Sequence, residues 1–574
     1  MPIHNSDIAA IFDEIADLLE IEGANPFRVR AYRNAARTVQ GLGRDAAALV
    51  EQEFDLTRLP GIGKDLASKI DEIVRTGRCE ELTKLHNRTP AALSVLLKIP
   101  GLGPRRVAIL HKELGINTPK QLLRAVRQGR IRELEGFGVK TEQRIREAIE
   151  AQLQKKARFL LRTATDYAQP LVEYLKQSKG VKDVVVAGSY RRCNETVGDL
   201  DILITATRSS PVMNDFVEYD EVKEVISHGK TRTTIILKCG LQVDVRVVAR
   251  ASLGAALQYF TGSKAHNIAI RRLGQQRDLK INEYGVFKGE KRVAGQTETS
   301  VYAAVKLPYI EPELRENRGE IDAARRGKLP KPVRLTDLKG DLHSHTRASD
   351  GKNTVAEMAQ AARERGLRYL AITDHSKGLT VARGLNRRTL QEQLEEIDRL
   401  NDSLKGIELL KGIEVEILED GRLDLPDAIL AELDLVIGAV HSKFDLSSTK
   451  QTRRIVRAMN HSHFSVLAHP SGRLLEERKP YDVDMAQIIR EASQRGCFLE
   501  LNAQPQRLDL IDMYCQLAKD EGVLIAINSD AHQSTDFDNL CFGVGQARRG
   551  WLETKDVLNT RSLPALRKLL KRTT

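Results

Sequence analysis

The octapeptide VGDLDILI, Val197 to Ile204, places Asp199 and Asp201 one residue apart inside an otherwise apolar, β-branched run. In a strand, side chains two apart leave the same face, so the two carboxylates point together. Like charges held so close repel, and burying either without a partner is costly. A divalent cation resolves the conflict. A third carboxylate, Asp244 in LQVDVRVV, lies in another strand-like run, with Arg246 two residues beyond it and no cation two residues before. Three carboxylates on adjacent strands suit a pair of Mg2+ or Mn2+ ions, the arrangement that stabilises the attacking and leaving oxygens of phosphoryl transfer. A lone Asp-x-Asp is more often a solvated edge, and the residues upstream decide between the readings. In AGSYRRCNETVGDLD, Gly188 and Ser189 fall at a strand-to-helix turn whose N–H groups can receive phosphate oxygens. Arg192 follows closely, and Gly198 directly precedes the first aspartate.

A second constellation lies downstream, where residues 339–574 carry eight of the 13 histidines. Nearly all of them end a short apolar run. DLHSH supplies His343 and His345, followed by Asp350; ITDH supplies Asp374 and His375; GIEVEI supplies Glu414. GAVHS supplies His441, LAHPSG His469, and NSDAH Asp530 and His532. Imidazole nitrogens and carboxylate oxygens suit Zn2+, Mn2+ or Fe2+. Asp374 is read as supporting the ligands, and His461 and His463 of MNHSHF as surface residues outside the pattern.

The elements that must position these groups follow from periodicity. Helical spacing of Ile8, Ile11, Ile15, Leu18 and Leu19 opens an all-helical region. Within it one short element recurs: LPGIGKDLASKI at 59–70, IPGLGPRRVAIL at 99–110, and a weaker EGFGVKTEQRI at 135–145. Each is a Gly-x-Gly turn opening a helix, a geometry that lets a phosphate approach backbone N–H groups. Gly61, Gly63, Lys64, Gly101, Gly103 and Arg105 are the expected contacts to a nucleic-acid backbone, gripping it without reading bases. Residues 101–200 hold 20 basic against 11 acidic side chains, which favours that reading. From about 181 the runs become β-branched and predict one sheet, followed by helices to about 317. A charged, proline-containing stretch, 318–338, reads as a linker. Beyond it short apolar strands alternate with helical segments, the pattern of a barrel-like α/β domain whose strand ends converge on a site.

A chain of 574 residues holds several domains. Its net charge of +12 is uneven: residues 1–338 carry 56 basic and 43 acidic side chains, and residues 339–574 carry 34 and 35. The front part is thus expected to meet a polyanion and the rear to do something else. Six cysteines without CxxC spacing indicate neither a disulfide framework nor a cysteine zinc site. With no apolar run of the ~18–20 residues a span requires, a soluble cytoplasmic protein is expected.

The Gly-Ser turn, Asp-x-Asp and later Asp244 together resemble the nucleotidyltransferase superfamily. YFTGSKAHNIAIR, 259–271, narrows the resemblance to the family X DNA polymerases, the polymerase beta group. That resemblance implies that Asp199, Asp201 and Asp244 hold the catalytic ions and that Arg192 meets the nucleotide phosphates. It also implies that Tyr259, Phe260 and Gly262 line the deoxyribose, Asn267 contacts the base edge, and Arg271 faces the template. Lys69 takes the position of a lysine that forms a Schiff base with 5′-deoxyribose phosphate, with Tyr32 in the same pocket. The C-terminal part resembles the polymerase and histidinol phosphatase (PHP) domain. The resemblance implies one metal on His343, His345, Glu414 and Asp530, a second on Glu414, His441 and His469, and a third on Asp350, His375 and His532.

The implied fold is multidomain. A helical lyase-like domain (1–80) and fingers (81–155) each carry a helix-hairpin-helix; an α+β palm (156–250) and thumb (251–317) follow; the linker leads to a distorted TIM-like barrel (339–574). The implied function is short-gap filling in DNA repair from deoxynucleoside triphosphates by a monomer acting on gapped or primed DNA. A metal-dependent 3′–5′ exonuclease would occupy the barrel, with abasic-site cleavage or 3′-phosphate removal as further expectations. Two rivals stand beside this reading. A template-independent nucleotidyltransferase would not need two DNA-type hairpins, and a phosphoesterase with a DNA-binding scaffold would be expected to lose one of the three aspartates.

Overall fold

The computed structural model describes residues 5–571 apart from 41–45, 52–53, 60, 87, 89–92, 98, 100–101, 135, 154–157, 380–381 and 476. It divides into two compact units, 1–157 and 158–574, each taken by itself below.

The first unit is helical. Helices Asn5–Ile21 and Pro26–Gln40 bury Ile8, Phe12, Ile15 and Leu18 against Val29, Tyr32 and Ala36. Helices Lys64–Thr76 and Pro104–Leu114 each start directly after an extended glycine, Gly63 and Gly103. Both end on a left-handed glycine, Gly77 at φ 70° and Gly115 at φ 62°, which satisfies the last carbonyls at no Cβ cost. The third, weaker repeat leads into helix Val139–Leu153 in the same way.

The second unit opens with a five-stranded sheet in the order Val181–Val186, Asp199–Ala206, Gln242–Val247, Arg232–Leu237, Val222–Ser227. Asp199–Ala206 and Gln242–Val247 run parallel, and all other pairs are antiparallel. Alternation does the sorting. Leu200, Ile202 and Ile204 bury one face against helix Leu161–Gln177, so Asp199, Asp201 and Leu203 take the other. Helices Leu253–Thr261 and Lys264–Gln275 and a three-stranded sheet of residues 280–294 follow.

The stretch 318–338 connects the two parts of this unit, and it is packed at several points, with residues 325–328 and 334–336 exposed between them. Arg318 donates to Asp512 at 2.7 Å, helix Glu320–Arg325 buries Glu320 and Ile321, and the buried Val333 donates its N–H to Leu552 at 2.9 Å. Two of its charges, Arg318 and Glu320, find partners outside it in Asp512 and His266, which composition alone does not reveal.

The C-terminal part holds seven parallel strands in chain order: Gly340–Asp341, Tyr369–Ile372, Glu408–Glu416, Leu435–Ala439, Val466–Leu467, Phe498–Asn502 and Ile525–Asn528. The last curls back to the first, where His345 N–H donates to Ala531 at 2.8 Å. The buried Asn559 side chain fills the remaining gap by donating to both Gly340 and Ile527 carbonyls. Tyr369, Ala371, Leu435 and Ile437 pack inside the ring, while Leu370, Ile372 and Val436 pack outward against the helices.

Candidate active sites

The parallel register of the central sheet sets Asp201 directly beside Asp244, with Asp199 one step along. Gly188 lies at φ +66°, and a Cβ there would stand 2.8 Å from Asp201 Oδ2. Only glycine lets the Gly-Ser turn approach that carboxylate. Ala187 N–H donates to the Asp201 carbonyl at 2.7 Å, fixing the turn to the strand. Ser189 and Gly198 are half-exposed on either side. Burial pushes the Asp201 carboxyl up to about 6, with Asp199 and Asp244 adding to the shift and Arg246 and Arg232 opposing it. Asp244 is buried too, but hydrogen bonds from Thr234 (2.6 Å), Gln242 (2.7 Å) and Arg232 (3.2 Å) hold it below the ordinary range. Asp244 thus gains a cationic partner that its own strand does not show, because Arg232 arrives from the neighbouring strand. One carboxyl raised by two others is what a cation would relieve, and the all-oxygen donor set fits Mg2+ or Mn2+.

Beyond the sheet, the Tyr259 and Phe260 rings meet edge to face at 5.1 Å, and the Arg246 guanidinium lies 4.7 Å over Phe260. The aromatic pair is thereby tied to the aspartate strands. Two expected contacts take a different form. Asn267 is buried and donates to the Tyr259 (2.6 Å) and Gly262 (3.1 Å) carbonyls while accepting from Gln258 (2.8 Å). Its amide shapes the turn instead of presenting a base-reading edge, and a Cβ on Gly262 would stand 2.5 Å from it. Arg192 donates to Glu316 and to the Thr261 carbonyl, both at 2.9 Å, so its guanidinium is engaged inside the fold. Arg271 is exposed, with its Nε donating to the Asn267 carbonyl at 3.3 Å.

All nine expected metal ligands gather at the C-terminal ends of the barrel strands. Glu414 stands at the centre: its Oε2 lies 3.3 Å from His343, 3.5 Å from His345 and 2.8 Å from His375. Its Oε1 lies 3.3 Å from His441 and 3.0 Å from His469. His345 is 3.1 Å from Asp530, and Asp350 is 3.5 Å from both His375 and His532. Among the described residues three groups are close enough to share an ion: His345, Asp350, His375 and His532; His343, His345 and Asp530; His375, Glu414 and His441. His345 and His375 thus stand between groups that the sequence reading kept apart.

The donor set fits metal ions. His343 Nε2, His345 Nδ1, His375 Nδ1 and Glu414 Oε2 are buried and make no well-formed hydrogen bond. Polar atoms so placed otherwise carry an uncompensated desolvation cost. Burial pulls the His375 imidazole down, yet Glu414 and Asp350 outweigh it and push it up to about 10. Burial also opposes the charge on His532, which Asp350 and Asp530 raise to about 9. His345 falls to about 4 through burial and its two imidazole neighbours, His532 and His375.

Two supporting carboxylates escaped the sequence reading. Glu500 accepts from His343 Nδ1 at 2.7 Å and from the His469 N–H at 2.7 Å. Glu416 lies 2.9 Å from His441 Nδ1. Glu500 is a lone acid in the apolar strand CFLELN, and Glu416 is the second acid of GIEVEI, on the same face as Glu414; those were the available signals. Such partners fix the tautomer, leaving Nε2 to face inward. Asp374 accepts from Thr346 and Gln393, which matches its expected supporting part.

In the helical unit Gly61 (φ +78°), Gly63, Lys64, Gly103 and Arg105 are exposed at the two turns, and Gly101 lies outside the described residues. Lys69 is the exception to expectation. Burial pulls its ammonium down, but a hydrogen bond from it to Asp65 and the nearby Tyr32 hold it above the ordinary range. An amine awaiting a carbonyl needs the opposite shift.

Comparison with known proteins places these parts. Successive segments match the profiles of a helix-hairpin-helix domain (3–79), a SAM-like helix-hairpin-helix tandem (93–151), the DNA polymerase beta palm (163–244), the DNA polymerase beta thumb (256–316) and the PHP domain (341–530). The chain is 39% identical over 577 residues to the DNA polymerase/3'-5' exonuclease PolX of Bacillus subtilis (strain 168), covering 99% of this chain and 100% of that protein. A probable phosphatase of Thermoanaerobacter sp. (strain X514) is 30% identical over 235 residues, 38% of this chain and 89% of its own. With a full-length relative at that identity and its domains in this order, the chain belongs to the family X, polymerase beta-like DNA polymerases that carry a C-terminal PHP domain.

Proposed function

We infer that this chain is a DNA polymerase whose C-terminal barrel is a metal-dependent 3′–5′ exonuclease. The observation that carries the first activity is the approach of the Gly188 turn to Asp201 beside Asp244, which puts phosphate-receiving N–H groups next to three carboxylates. The nine-ligand cluster around Glu414 supports the second. Asp199, Asp201 and Asp244 would hold Mg2+ or Mn2+, and the barrel ligands up to three Mn2+, Zn2+ or Fe2+ ions. Bound there, such ions neutralise charge on a transferring phosphoryl group and lower the pKa of water.

The chain's own groups do the rest. The Gly188-Ser189 turn receives nucleotide phosphate oxygens, and Arg192 moves from Glu316 to the triphosphate. Tyr259 and Phe260 pack along the sugar, while Asn267 keeps that aromatic turn in shape. At the barrel, Glu500 and Glu416 accept the Nδ1 protons of His343 and His441 and hold those rings in place. The exposed turns at Gly61–Lys64 and Gly103–Arg105 grip DNA phosphates, with Gly101 read in the same role.

The substrates we propose are gapped or primed DNA and deoxynucleoside triphosphates, the setting short-gap repair, and the form a cytoplasmic monomer. No helix among the described residues is long and apolar enough to cross a membrane. A template-independent transferase or a mere scaffold is less favoured, because two hairpins and all three aspartates are in place. Abasic-site cleavage and 3′-phosphate removal at the barrel remain part of the proposal. Lyase chemistry at Lys69 is the least supported part.

The test is extension across a one-nucleotide, 5′-phosphorylated gap by wild type, Asp201→Ala and His343→Ala. Extension is expected to vanish only in Asp201→Ala, and 3′ degradation only in His343→Ala. Full extension by Asp201→Ala, or equal degradation by both variants, overturns the assignment.

A further inference from the structure

Arg192, the residue that meets the triphosphate in the reading above, is paired with Glu316, and Glu316 is shared. Its Oε1 accepts from Arg192 Nε at 2.9 Å and from Arg549 Nη1 at 2.9 Å. Arg549 lies at the end of helix Leu540–Arg549 of the PHP domain. It is almost wholly buried and reaches further into the palm, donating to the Arg192 carbonyl at 3.0 Å and to Asn194 Oδ1 at 2.5 Å. Its other nitrogen, Nη2, donates to Asp512 Oδ2 at 2.8 Å within the PHP domain itself. The same palm loop is pinned a second time, where Glu195 accepts from Arg473 at 2.7 Å and from Gln546 at 2.9 Å.

The chemistry of that sharing has a direction. If Arg192 leaves Glu316 for a phosphate, a poorly exposed carboxylate loses one of its two cations, and a buried carboxylate with none is strongly disfavoured. A carboxylate that keeps a fixed second cation can release the first.

We propose that Arg549 of the PHP domain is a positioning residue for the polymerase: it stays on Glu316 as the standing counterion, so that Arg192 can exchange Glu316 for the incoming triphosphate. The PHP domain thereby sets the nucleotide affinity of a site to which it contributes no ligand. Without Arg549, Glu316 would hold Arg192 alone and more tightly, and nucleotide binding would pay for the separation. Without Glu316, the Arg192 guanidinium would keep the Thr261 carbonyl but no anion, and the charge of Arg549 would no longer govern its release.

The inference rests on the proposed role of Arg192, and the test separates the two. Full-length wild type, Arg192→Ala, Arg549→Ala, Arg549→Lys, Glu316→Gln and Glu316→Gln/Arg549→Ala are compared in Mg2+ on one-nucleotide-gapped DNA with a phosphorothioate 3′ end. KM for the templated nucleotide and kcat are read separately. Arg549→Ala is expected to raise KM on the order of tenfold, with kcat within about twofold. Arg549→Lys should recover much of that loss, since the charge persists. Glu316→Gln alone should lower KM, and in its background Arg549→Ala should add nothing. An unchanged KM in Arg549→Ala, a raised KM in Glu316→Gln, or the same KM increase with and without Glu316 would each overturn the inference. Should Arg192→Ala leave KM unchanged, the role given to Arg192 fails and the inference falls with it.

Discussion

Replacing Asp201 by asparagine should abolish extension and yet make the metal-free protein more stable. Asp201 is raised to about 6 from an ordinary 3.8 by burial, Asp199 and Asp244. A folded-state pKa above the unfolded one means that the native state binds the proton more tightly, so stability falls as pH rises from about 4 through about 6. The whole penalty is present above that window. A shift of about two units corresponds to about 3 kcal/mol. Because Asp201 keeps some exposure to solvent, about 1–2 kcal/mol is the expected measured gain. Trp551, the sole tryptophan, packs against the thumb core, so its fluorescence during urea unfolding reports on the second unit. In EDTA at pH 8, Asp201→Asn should exceed wild type by that amount, and at pH 4 the two should coincide. Adding Mg2+ at pH 8 should stabilise wild type and leave the variant nearly unchanged. A variant no more stable than wild type at pH 8 in EDTA, or a gain that persists at pH 4, would refute the like-charge account.

Other perturbations follow from single contacts. Gly188→Ala sets a Cβ against Asp201 Oδ2 at a left-handed φ, so extension should drop more than a hundredfold while 3′ degradation continues, measured on one labelled primer. Glu500→Gln removes the negative charge and one of the two oxygens that accept from His343 Nδ1 and the His469 N–H, and metal affinity of the barrel, read by competition with a chelating dye, should fall roughly 10–100-fold. Borohydride trapping of Lys69 on a 5′-deoxyribose phosphate end should be weak at pH 7.5 and stronger in Asp65→Asn, which removes the hydrogen-bonded anion; strong trapping by wild type would show that Asp65 does not restrain the amine. Lys64→Ala and Arg105→Ala should each weaken DNA binding regardless of sequence and lower the salt slope by about one, seen by fluorescence anisotropy.

Much of the chemistry was legible from residue type and spacing. Asp-x-Asp in an apolar strand forces two carboxylates to one face whatever the rest of the chain does, and histidines ending apolar strands must meet at one rim once those strands run parallel. Gly-x-Gly spacing likewise marked where two helices start, and at Gly61, with φ +78°, a residue without Cβ is favoured. What sequence could not supply was the partner brought from far along the chain. Arg232 on Asp244, Glu500 behind His343 and the Arg192–Glu316–Arg549 chain depend on register and packing. The same packing anchored a charged, proline-containing stretch at Arg318, Glu320 and Val333. Local geometry is fixed over a few residues by alternation and steric limits, so it can be read from neighbours. Electrostatic environment is fixed by whichever charge lies within about 4 Å in space, and only the tertiary fold decides which charge that is.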